Sequence, residues 1–216
     1  MMDLCYALNK ANIRHPFPTL RSLYHKTLLA KDPAILSLNL NDAYDITHII
    51  FYLSDFGFRK ITEILDQKLP QICWIITILT GLYLRDQDWD ILAELLLCYY
   101  CLRWYQYPIY EVAWNNLLNV QRADGSIPGF LRGEKLEMKS KSWHKNFTRN
   151  YHATIMTAIA FLLTIDRNPT YSRRDIHYLP TKSKISPSRA RLVCKKAHLW
   201  LGELYKSLNQ IEYDSN

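Results

Sequence analysis

An all-α fold of helical hairpins is what this sequence predicts, on three observations. Hydrophobic residues make up 49% of 216 residues while glycine occurs only 6 times, too apolar for disorder and too poor in turn residues for a many-stranded sandwich. Apolar residues recur at helical spacing, as at Ile46, Ile49, Ile50 and Leu53. No useful stretch alternates apolar and polar residues as a half-buried strand does. The length suits a single helical domain, 1–216, with enough chain to bury a core.

Each element follows from its punctuation. A first helix over 2–13 stops at His15-Pro16-Phe17-Pro18, because proline disfavours a helical predecessor. A second covers 19–30 and ends before Asp32-Pro33. Asn41 or Asp42 caps a third that reaches about residue 56, with Gly57 at its end. Two more cover 58–67 and 70–84, Pro70 suiting the first turn of the latter. Asp86 or Asp88 caps a helix with its body over 91–104, and Tyr107-Pro108 separates it from one over 109–121. After Asp124-Gly125 comes a basic loop, 132–149, then a helix over 150–165. Three prolines make 168–187 irregular, before a C-terminal helix over 188–208.

Charge and cysteine usage narrow the function. The net charge of +7 is concentrated in the basic loop and in the tail beyond residue 172. Such patches attract phosphate, but no nucleic-acid motif accompanies them, so solvated loop charge is the expected reading. The five cysteines form no disulfide framework, and Cys98-Tyr99-Tyr100-Cys101 lies inside an apolar helix, where buried thiols are expected. The longest apolar run, 72–84, falls short of the ~20 residues that cross a bilayer. With no secretory apolar region at the N-terminus, a cytoplasmic, non-transmembrane protein is expected. The 15 tyrosines and 6 tryptophans read first as core filler and second as the lining of an aromatic cavity.

Three polar stretches open apolar helices: Ala43 to His48, Asp86 to Glu94, and Asn150 to Thr154. Before the third stands Gln121-Arg122-Ala123-Asp124-Gly125-Ser126, where Asp124 can bond the turn backbone and Gly125 tolerates positive φ. From Trp114 to Leu163 this pattern resembles the α/α-toroid superfamily of terpenoid cyclases and protein prenyltransferase β subunits. There a Gln-x-x-Asp-Gly-Ser turn joins an outer helix to an inner one. The string from Tyr44-Asp45-Ile46-Thr47-His48 to Asp55-Phe56-Gly57 is similar to a motif of uncharacterised bacterial domains. The resemblance implies a partial or incomplete toroid, since the predicted helices number about eight where a closed six-hairpin ring takes about a dozen. A second copy or a protein partner would then complete the ring.

The resemblance also implies a metal. In the prenyltransferases Asp, Cys and His ligate zinc, and His152 matches the histidine while Asp88 and Asp90 stand near the Asp and Cys positions. With Asp90 in place of a thiolate, a carboxylate–imidazole set Asp88, Asp90 and His152 would suit zinc, iron or manganese. Helix geometry adds Asp45 with His48 (i, i+3) and Asp90 with Glu94 (i, i+4) as pairs sharing a face, making Asp45, His48 and Glu94 candidate catalytic residues. The competing reading of each acid is a cap or macrodipole partner, which suits Asp45 and Asp88 best and Glu94, among leucines, least. No DxDD, DDxxD, GxSxG, P-loop or GxGxxG motif is present.

Two functions stand. One is an enzyme or enzyme-like protein acting on a small apolar or peptide substrate. The other is a non-catalytic helical protein binding a peptide, lipid or protein, or a degenerate copy of a larger toroid enzyme.

Overall fold

The computed structural model describes residues 1–104, 107–129 and 143–165. The irregular stretch 168–187, the helix over 188–208, the basic tail and residues 132–142 of the basic loop lie outside the described residues. All regular elements within them are helical, so the fold is all-α.

The bundle is organised around one helix. α6 (Trp89–Leu102) buries every residue but Asp90, because its sequence is apolar on all faces. Four helices pack on it: α3 (Leu40–Ser54), α5 (Leu69–Asp86), α7 (Pro108–Asn119) and α8 (Trp143–Ile165). The short α1 (Met2–Lys10) and α2 (Leu20–Tyr24) cover α3, and α4 (Thr62–Leu65) precedes α5. Among the described residues, no helix is long and apolar enough to cross a membrane. Cys5, Cys73, Cys98 and Cys101 are buried thiols, and burial pushes the Cys73 thiol up to about 12.

Local signals set most boundaries. Asn39, two residues ahead of the expected cap, starts α3: its Oδ1 accepts from the Asn41 and Asp42 amides, and Asp42 Oδ2 accepts from the Asn39 amide at 2.9 Å. That reciprocal box satisfies donors that a single cap would leave. The end of α3 is a run of left-handed residues, Asp55, Phe56 and Gly57, with φ of 51°, 53° and 85°. The Phe58 and Arg59 amides donate back to Asp55 O and Ser54 O, which consumes the start of the helix expected over 58–67 and leaves only α4. α2 is likewise shorter than 19–30, the chain passing into a 3₁₀ turn (Leu29–Lys31) before Asp32 at φ 53°.

The largest difference is in α8. It begins at Trp143, seven residues before the expected 150, since nothing between the two positions is a proline or glycine. His152 therefore sits about two and a half turns inside a helix rather than at its start.

The Gln121 to Ser126 turn forms as its residues dictate. Asp124 Oδ1 accepts from the Ser126 amide and hydroxyl at 3.0 and 2.8 Å, Gly125 has φ 93°, and Gln121 Nε2 donates to Gly125 O. The segment that follows fastens two helices. The Ile127 amide donates to Thr154 Oγ1 at 2.9 Å on α8, and the Trp89 amide at the head of α6 donates to Gly129 O at 3.2 Å. Gly129 lets this approach happen, since a Cβ there would lie 2.5 Å from Arg149 O.

Candidate active site

The acidic residues at the N-terminal end of α6 meet polar residues of α3 and α8. Asp88 is the N-cap, its Oδ1 accepting from the Ile91 amide at 3.5 Å. Asp90 lies in the first turn and Glu94 one turn further, on the same face. A helix N-terminus favours negative charge, which helps place two carboxylates here.

Asp90 is a junction. Its Oδ2 accepts from the Tyr44 hydroxyl at 2.8 Å and its Oδ1 from His152 Nδ1–H at 2.7 Å. With Nδ1 held by Asp90, the Nε2 of His152 is turned toward Glu94 Oε1, at 3.6 Å. From the α3 side His48 Nε2 approaches the same oxygen, also at 3.6 Å. The other Glu94 oxygen accepts from the Thr47 hydroxyl. Glu94 is fully buried and its Oε1 has no hydrogen-bond partner, whereas the two imidazoles are 41% and 40% exposed. One hidden carboxylate thus stands behind two imidazoles that reach water. Aromatic rings lie beside the imidazoles: Tyr44, Phe51 and Tyr52 around His48, and Tyr151 edge-on to His152.

The electrostatics follow from these contacts. The nearby Glu94 carboxylate is the main cause that raises the His48 pKa above its ordinary value; burial and the charge of His152 oppose it. Asp90 raises that of His152, again against burial. Burial, then the Asp90 charge, raises the Tyr44 phenol far out of reach, so it stays a donor. Burial lifts Asp88 to about 6.

That last shift gives a test. A carboxyl whose folded pKa is raised binds more protons folded than unfolded, so stability falls as pH rises from about 4 through about 6. Asp88→Asn keeps a capping side chain and removes the titration. The melting temperature of the wild type relative to Asp88→Asn should be higher at pH 4 than at pH 7. Parallel melting curves across that range would show that Asp88 is not the source.

Of the six candidate residues, His48, Asp90, Glu94 and His152 come together. Asp88 is buried beside them but turned to the helix backbone. Asp45 is exposed and makes no hydrogen bond or ion pair into the cluster; it acts on His48 only through charge. Sequence reasoning assigned nothing to Tyr44 and Thr47. The signal was there, for Tyr44 lies one turn before His48 on the same face of α3, and Thr47 is its neighbour.

As placed, Asp88, Asp90 and His152 do not fit zinc, iron or manganese. Both Asp90 oxygens are engaged by Tyr44 and His152, and Asp88 caps α6. Among the described residues, no three His, Cys, Asp or Glu side chains form a group that could hold a metal ion.

Residues 1–162 match a family model described as a domain of unknown function, DUF6895. The match includes every residue of the cluster. No curated protein and no solved structure matches the chain.

Proposed function

The chain belongs to the DUF6895 family of domains of unknown function, and for it we propose acid–base catalysis on a small apolar or peptide substrate. The observation that carries this reading is Glu94 Oε1, buried and without a hydrogen bond, facing the Nε2 atoms of two half-exposed imidazoles. A buried acceptor left open is costly in a purely structural cluster. Facing two groups that reach solvent, it is a proton-transfer site.

Roles follow from the hydrogen bonds. Asp90 fixes His152 with Nδ1 protonated, so Nε2 is the atom of neutral His152 that can take a proton, with Glu94 Oε1 3.6 Å away to favour the imidazolium that forms. Glu94 favours the charged form of His48, while charge on one imidazole disfavours charge on the other. In its neutral form His152 accepts as general base, and in its charged form His48 donates as general acid. Tyr44 holds Asp90 from behind. Tyr44, Tyr52 and Tyr151 offer apolar surface beside the imidazoles, which supports small acyl or peptide substrates in a water-activated hydrolysis.

The toroid reading extends this. The Asp124-Gly125-Ser126 turn, and the ties of the Ile127 to Gly129 segment after it to Thr154 and Trp89, support a repeat in which hairpins converge on one rim, with a second copy or partner beside it.

The test is a panel of p-nitrophenyl acyl esters and peptide anilides, assayed with and without a metal chelator. Turnover should survive the chelator and drop at least ~10²-fold in His152→Asn. Equal rates in wild type and variant would leave the helical binding-protein reading in its place.

A further inference from the structure

A cavity of about 600 Å³ opens among α1, α2, the end of α3 and the segment before α4. Its volume is that of a small-ligand pocket. Four cations border it, Lys10, Arg21, Arg59 and Lys60, against one carboxylate, Asp55. Asp55 is occupied: it accepts from the Tyr6 hydroxyl at 2.7 Å and pairs with Lys10 at 2.7 Å, with Arg59 at 3.9 Å. His15 is held in place by the Phe17 amide, which donates to its Nδ1, and by a hydrogen bond between its Nε2 and Asn9 Oδ1. The wall carries a net excess of three positive charges, with Arg21 and Lys60 exposed and outside any ion pair among the described residues. Between the cations lie Phe17, Pro18, Leu20, Leu53 and Ile64.

We infer that this pocket binds a small amphipathic anion, a carboxylate or phosphate head on an apolar body. The cations take the head, with Asp55 holding Lys10 and Arg59 at the rim through the Asp55-Phe56-Gly57 turn. The apolar residues take the body. The Glu94 cluster plays no part, so the two sites stand or fall separately.

Isothermal titration with octanoate, octyl phosphate and neutral 1-octanol tests this on the full chain. At least one anion should bind, about tenfold or more tighter than octanol, and more weakly as salt rises. Whichever anion binds tighter identifies the head group. The exposed double variant Arg21→Gln/Lys60→Gln, with circular dichroism unchanged, should lose about tenfold in affinity. No binding of either anion, octanol binding as tightly, or a folded double variant with unchanged affinity each overturns the assignment.

Discussion

Glu94→Gln lowers the pKa values of His48 and His152 together, His48 the more. The Glu94 carboxylate is the largest cause of the raised His48 pKa, while for His152 it stands behind Asp90. Glutamine keeps the shape and removes the charge, so burial is left to push His48 down. The sign for stability follows. A histidine whose folded pKa is raised contributes stability that is complete below its unfolded value near 6.5 and is lost as pH rises through the folded value. The wild type should therefore lose melting temperature from pH 6 to pH 8, and Glu94→Gln should lose less. Imidazole C–H resonances followed across pH give both pKa values directly. Activity on any substrate found should fall by about 10²-fold or more. Unmoved histidine titrations would show that Glu94 does not act on them.

Gly57→Ala should destabilise the protein by about 2–4 kcal/mol, through two causes that add. At φ 85° an L residue is strained. A Cβ would also stand 2.3 Å from Tyr100 Cε1, on a ring that is buried against the turn. The ring cannot simply swing away, because Tyr100 lies on α6, packed from all sides. Chemical denaturation of the variant measures the loss. A change below about 0.5 kcal/mol would mean that the turn relaxes freely.

The sequence was most legible where one chemical signal governs one element. The apolar stripe of α3, the apolar lengths of α5 and α6, the Tyr107-Pro108 break before α7 and the Asp124-Gly125 turn required nothing beyond local chemistry, and the described helices follow. Boundaries failed where two signals competed. The segment after Gly57 has helical composition, yet the carbonyls of Ser54 and Asp55 capture its amides in a turn. α8 extends to Trp143 because no proline or glycine between 143 and 150 stops it, so the polar stretch at 150 lies inside the helix. Within the cluster, residue types were legible but partners were not. Asp45 and His48 share a helix face by spacing, yet only His48 looks toward α6, since which face is buried is decided by the neighbouring helices. Glu94 stood out in the sequence as an acid among leucines, and that same anomaly marks it as the hidden centre of the cluster.

The enclosure of α6 has a consequence for how the protein comes apart. A helix covered on every side exposes its amides only when the whole bundle opens, so its hydrogens should exchange last. Asp90 and Glu94 ride on that slowest element, while His48 and His152 come from helices that each keep a face toward solvent. On warming, the imidazoles should drift from the carboxylates before the bundle itself opens, and inactivation should precede melting.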